Sequence, residues 1–198
     1  MENKFAFAKE IVKEAGDYIL AHMQEELNIE RKSSPTDLVT RLDKEVQNFL
    51  VDRIRSHYPD DQFCAEEGCL RASVGYGSVW VIDPIDGTNN FVAQGEDFAI
   101  MVAYFENGVG QFGIIYDVMK GHCYHGGGAF QACLNEELLP NFKDKPLRDF
   151  LIASNAGMLE TNAWGVAELA NASLGVRIYG SAAISFSKIL SGQLLTYI

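Results

Sequence analysis

Apolar residues recur at helical spacing from the start of the chain. Phe5, Ala8, Ile11, Val12, Ala15, Tyr18 and Ile19 share one face and predict a helix running to roughly the mid-twenties. A second set, Leu42, Val46, Phe49, Leu50 and Ile54, begins just after Thr40, whose hydroxyl can cap the helix, with Asp43 in its first turn. From Ser78 the period shortens to two. Ser78 to Ile82 predicts a strand that delivers Asp83 at its end, and Pro84 keeps that aspartate extended. Phe98 to Phe105 and Gln111 to Tyr116 predict strands joined at Glu106-Asn107-Gly108, where Asn-Gly signals a hairpin. His122 to Tyr124 and Ala129 to Leu134 extend the meander. Charges and two prolines over 135–148 mark a lobe boundary. Beyond it, Phe150 to Ser154 reads as a buried strand, Thr161 to Ala172 as a helix and Val176 to Tyr179 as a strand. Ser181 to Leu190 reads as a helix with Ser181 at its start and Gly192 past its end. Alternating strands and helices imply parallel pairing in this part. The organisation predicted is an α+β lobe over residues 1–140, followed by an α/β lobe over 141–198.

The 198 residues are 47% hydrophobic, which suffices for a sizeable core. No apolar run approaches the roughly 18 residues of a membrane span, and Met1-Glu2-Asn3-Lys4 does not open a signal peptide. A cytoplasmic protein without a membrane partner is the reading. The net charge of −11, with no cluster of Lys and Arg, excludes a nucleic-acid surface. That acidity also repels a phosphorylated substrate unless bound cations offset it locally. Cys64, Cys69, Cys123 and Cys133 show no C-x-x-C spacing and read as buried, reduced thiols. His122 and His125 beside Cys123 read as ordinary sheet and hairpin residues.

The most specific string is Trp80-Val81-Ile82-Asp83-Pro84-Ile85-Asp86-Gly87-Thr88-Asn89-Asn90-Phe91. Two carboxylates, Asp83 and Asp86, converge across the bend with the Ile85 carbonyl between them, a set of hard oxygen donors suited to Mg²⁺. The backbone N–H groups of Gly87 and Thr88 offer a cradle for phosphate. Ordinary turn chemistry explains D-P and D-G pairs separately. It requires neither the second acid nor the hydroxyl after the glycine.

The string matches D-P-[IL]-D-G-[ST]-x-N-F throughout, and here the chain resembles the inositol monophosphatase family of Mg²⁺-dependent, lithium-sensitive phosphatases. Lys32-Ser33-Ser34-Pro35-Thr36-Asp37-Leu38-Val39-Thr40, continuing to Asp43, is similar to the family's K-x-x-x-x-D-L-V-T-x-x-D segment. Ala65-Glu66-Glu67-Gly68 resembles its G-E-E stretch, with Ala65 in place of the usual glycine, and Gly180-Ser181-Ala182-Ala183 resembles its G-[ST]-A-A turn.

The resemblance implies a layered α/β/α/β/α sandwich of the sugar-phosphatase type, a homodimer, and two or three Mg²⁺ ions, with Mn²⁺ as a substitute and Li⁺ as an inhibitor. Glu66, Asp83 and the Ile85 carbonyl would hold one ion, while Asp83 and Asp86 would hold a second. Thr88, oriented by Asp43, and Glu66 would activate water, and Gly87, Thr88, Ser181 and Ala182 would bind substrate. The substrate implied is a small phosphate monoester, first inositol monophosphate. Fructose 1,6-bisphosphate, NADP and 3′-phosphoadenosine 5′-phosphate are the alternatives. The family's later acidic substrate contact and its W-D-x-A-A-G segment have no counterpart here, so the C-terminal part is expected to be incomplete and the second ion to lack a carboxylate. A shortened phosphatase of impaired activity is the first expectation. A non-catalytic relative that binds metal, phosphate or a partner is the other class.

Overall fold

Helix α1 (Glu2–His22) buries Phe5, Ala8, Ile11, Val12, Ala15 and Ile19, the face its periodicity predicted. The computed structural model to which it belongs describes residues 1–32, 34 and 37–198; Ser33, Pro35 and Thr36 of the Lys32-to-Asp43 segment lie outside the described residues. Strands β1 (Glu30–Arg31) and β2 (Leu38–Val39) form a short antiparallel pair before α2 (Arg41–His57). Then come β3 (Gln62–Ala65), β4 (Ser78–Asp86), α3 (Thr88–Gln94), β5 (Ala99–Glu106), β6 (Val109–Asp117), β7 (His122–Gly127), β8 (Phe130–Leu134) and β9 (Glu137–Leu138). The last part holds β10 (Leu151–Ala153), α4 (Ala156–Thr161), α5 (Val166–Ala172), β11 (Gly175–Arg177) and α6 (Ala182–Leu190).

Strands β3 to β9 make one sheet in sequence order, parallel between β3 and β4 and antiparallel elsewhere. Helices α1 and α2 cover one face, where Ile11, Leu42, Leu50, Trp80, Tyr104 and Phe112 share a core. On the other face Ala183 and Ile184 of α6 pack on Ala99. Strands β10 and β11 pair in parallel, as alternation predicted, and residues 195–198 run beside β10. The expected mixture of helices and sheets in layers is observed.

The expected helix over 161–172 is two helices instead. Asn162, Trp164 and Gly165 all take positive φ between α4 and α5, and the Asn162 side chain accepts from Ala167 N at 2.8 Å, starting α5 afresh. The four cysteines are free, but their burial is uneven: Cys123 is buried, its thiol pushed up to about 11 by desolvation, whereas Cys69 is exposed. His122 and His125 lie in β7. Among the described residues, no helix is long and apolar enough to cross a membrane.

Candidate active site

Strand β4 does not end at Asp83, as its pattern suggested; it runs on to Asp86 through a bulge. Asp83 pairs with Met101 and Asp86 with Ala99, so three steps on β4 match two on β5. Residues three apart in a regular strand point to opposite faces. The one extra residue restores both aspartates to the same side, and Pro84, which has no N–H to give a ladder, sits inside the irregularity. Glu66 arrives from the neighbouring strand, its N–H donating to Ile82 O at 3.1 Å. Arg71 donates to the Ala65 and Glu66 carbonyls, and Gln47 exchanges two hydrogen bonds with the Glu67 backbone, at 2.7 and 2.8 Å. Ala65 is absent from the positive-φ residues, so alanine fits in the glycine's place.

Asp43 and Thr88 meet above this turn. Thr40 and Asp43 form a reciprocal capping box at the start of α2. Thr40 N and Oγ1 donate to Asp43 Oδ2 at 2.8 and 2.6 Å. The other carboxylate oxygen, Oδ1, lies 3.1 Å from Thr88 Oγ1, which is also 3.0 Å from the Ile85 carbonyl; the single hydroxyl proton serves one of the two at a time. Burial raises Asp43 above the usual carboxylate range, with the Thr40 and Thr88 hydrogen bonds opposing that rise.

Asp86 is held from the far side by α6. Ser181 caps that helix, its oxygen accepting from Ile184 N at 3.1 Å while its hydroxyl donates to Asp86 Oδ2, which also accepts from Ala183 N at 2.8 Å. The amide of Ala182 lies near enough to favour the charged form of Asp86. Ser181 and Ala182, expected at the substrate, are thus placed on a carboxylate. Gly87 is required where these segments meet: at φ +91° a Cβ would stand 3.0 Å from Ser181 Cβ and 3.1 Å from Asp97 O.

The acids have an unmet need for positive charge. Asp83 Oδ1 is buried without a hydrogen-bond partner. Burial first, then the Glu66 carboxyl and the Asp86 charge, push Asp83 far above the ordinary carboxylate range. Asp86 is raised too, chiefly by burial. Such an oxygen-only set fits a hard divalent cation, which would satisfy the orphaned oxygen and offset the mutual repulsion. Glu66 is already engaged by a cation of the chain: its Oε1 accepts from Lys32 Nζ at 2.9 Å, and the same ammonium binds Glu67. Desolvation lowers Lys32, but the Glu67 and Glu66 carboxylates outweigh it and hold the ammonium firmly protonated. In this arrangement no group of three His, Cys, Asp or Glu side chains among the described residues converges to chelate an ion. An ion held by Glu66 would have to take the place of this ammonium. A cavity of about 600 Å³ beneath α6 reaches Asp83; a larger one of about 750 Å³, near Leu138, Phe142 and Ile189, touches none of the acids.

A model of the inositol monophosphatase family matches residues 1–198. The chain belongs to that family. Its members are phosphoric monoester hydrolases. The inositol-1-monophosphatase of Bacillus subtilis (strain 168) is 40% identical over 196 residues, covering 96% of this chain and 74% of the relative. A crystal structure of inositol monophosphate-bound SaIMPase-II has a TM-score of 0.86 at 33% identity, covering 98% of this chain and 72% of that one. An IMPase/NADP phosphatase complexed with Mg²⁺ and phosphate has a TM-score of 0.81 at 29% identity, covering 90% and 67%.

In this inositol monophosphatase relative, sequence reasoning placed Asp43, Glu66, Asp83, Ile85, Asp86, Gly87 and Thr88, and the structure gathers them around one bend. It gave no role to Gln47 or Arg71, and none to Asn90 although that asparagine stands in the motif. Gln47 and Asn90 act through backbone groups 20 and 89 positions away, and Arg71 through carbonyls five and six residues before it across a bend, so no local pattern gives them these roles.

Proposed function

We propose that the chain is a Mg²⁺-dependent phosphatase of small phosphate monoesters, with inositol monophosphate its first substrate. The observation that carries this reading is the unpartnered, buried Asp83 oxygen beside two further acids. Glu66, Asp83 and the Ile85 carbonyl would hold one ion, and Asp83 with Asp86 a second; Mn²⁺ would substitute and Li⁺ inhibit. Bound metal would neutralise the phosphoryl charge and ease ionisation of water near neutral pH. With its proton turned to Asp43 rather than to the Ile85 carbonyl, Thr88 presents a lone pair to the attacking water and takes that water's proton while passing its own to the Asp43 carboxylate. Asp43 keeps the hydroxyl aimed, and is itself fixed by Thr40. The Gly87 and Thr88 amides hold phosphate oxygens. The relatives that bind inositol monophosphate, or Mg²⁺ and phosphate, support this assignment. A homodimer is the assembly proposed, to be read by sedimentation.

Phosphate release from inositol 1-phosphate, fructose 1,6-bisphosphate, NADP and 3′-phosphoadenosine 5′-phosphate across a Mg²⁺ titration tests the reading. Metal-dependent release that disappears in Asp83→Asn is expected, with inositol 1-phosphate the best substrate. Release indifferent to Mg²⁺, or to Asp83→Asn, removes the turn from the chemistry.

A further inference from the structure

Asn90 is an asparagine inside a short helix, where its propensity is poor, and it is 7% exposed. A buried amide costs free energy unless its groups are bonded. Both hydrogens of this one are used. Nδ2 donates to Asp97 O at 2.9 Å and to Tyr179 O at 2.7 Å, while Oδ1 accepts from Gln94 Nε2 at 3.3 Å. Two carbonyls on one side and an amide donor on the other fix the orientation of the side chain.

The two carbonyls belong to different loops, and each loop leads to the metal turn. Asp97 O is one of the atoms a Cβ on Gly87 would strike. Tyr179 precedes Gly180 and Ser181, and Ser181 with the Ala183 amide holds Asp86 Oδ2. Gly180 rests directly on the asparagine: at φ +70° a Cβ there would stand 2.9 Å from Asn90 Oδ1. The distance from Asp86 to the start of α6 is therefore set by a bracket that neither element contains.

We infer that Asn90 is a positioning residue for the metal turn: by joining the Asp97 loop to the Tyr179–Ser181 loop it keeps the α6 N-terminus on one oxygen of Asp86 and leaves the other for the ion. The inference rests on the metal reading above. Asn90 touches neither substrate nor ion; it acts through Ser181.

The test is a Mg²⁺ titration of the full chain, read as the rise in melting temperature with concentration, alongside the metal-free melting temperature. Asn90→Ala raises the apparent dissociation constant about tenfold, the scale on which residues behind metal ligands act. Asn90→Asp, of the same shape but without donors, matches it, and Asn90→Ser, which retains one donor, falls between. Gln94→Ala, which leaves both bridges intact, keeps the parent's affinity. A lowered metal-free melting temperature with unchanged Mg²⁺ affinity in Asn90→Ala or Asn90→Asp makes the residue merely structural and overturns the inference. Should those two not fold, Asn90→Ser at parental affinity overturns it equally. A parent with no Mg²⁺ response sinks the metal reading and this inference together, whereas a responsive parent whose Asn90 substitutions keep the same Mg²⁺ affinity sinks this inference alone.

Discussion

Asp61 and Asp83 lie beside the two ends of the apolar part of β4, both half-buried, and their surroundings are opposite. Asp61 Oδ2 accepts from Lys4 Nζ at 2.5 Å and from Trp80 Nε1 at 2.8 Å. The same ammonium donates to Tyr104 OH at 2.9 Å and sits 4.3 and 4.7 Å from the Tyr104 and Tyr58 ring centroids. Asp83, three residues past Trp80, has further acids as neighbours and an oxygen with no partner. The first acid ties α1 to the sheet and is complete. The second is held ready for a group that the chain does not supply. The contrast shows how to read a buried carboxylate: the charge around it, not the burial itself, separates a structural tie from a binding position.

The strongest way to break the comparison is at the completed acid. Lys4→Met leaves Asp61 buried with only the indole, and is expected to cost about 3 kcal/mol of stability in a denaturant titration. The apparent Mg²⁺ affinity should not move; a parallel loss of it would mean that the two regions are one cooperative site. Next comes the hydroxyl of the open region. Thr88→Ala is expected to lower turnover about a hundredfold, or about 2.7 kcal/mol, with KM nearly unchanged. A raised KM with turnover unchanged would make Thr88 a ground-state contact. Asp83→Asn sharpens the contrast directly. It should abolish the stabilisation given by Mg²⁺, about 1.4 kcal/mol at ten times the dissociation constant, while leaving metal-free stability equal or higher. A fall in metal-free stability would class Asp83 with Asp61.

The smallest effect concerns the other buried polar atom without a partner among the described residues, His125 Nδ1. Its Nε2 donates to Asn135 O at 2.7 Å, and burial holds the ring below its ordinary value of 6.5. The unfolded chain therefore binds the proton more readily. Stability is full above 6.5 and is lost as pH falls from there through the lower folded value. His125→Phe should flatten this slope, a change of about 1 kcal/mol or less in melts between pH 5 and 7. A slope unchanged by the substitution would place the acid sensitivity elsewhere.

What could be read in the sequence was what local chemistry dictates. The Thr40 cap, the apolar face of α2 and the Asn107-Gly108 hairpin, where both residues take positive φ, depend only on neighbours in the chain. Strand β3 escaped notice because Gln62 to Ala65 is too short to show alternation. Helix α3 has seven residues and no apolar stripe; tertiary contact supports it, as in the edge-on packing of Phe91 and Phe98 at 4.9 Å. The motif marked both aspartates, but not how a strand brings them to one side, because the bulge depends on pairing with β5. The role of Asn90 depends on Tyr179, 89 positions away.

The capping box at the start of α2 also ties helix fraying to the Thr88 hydroxyl. Asp43 closes the first turn with one oxygen and orients Thr88 with the other. Any opening of that turn releases the hydroxyl at the same instant. The Asp43 amide, which donates back to Thr40 at 3.4 Å, is thus a built-in gauge: its rate of deuterium uptake reports how often the Thr88 hydroxyl is momentarily let go.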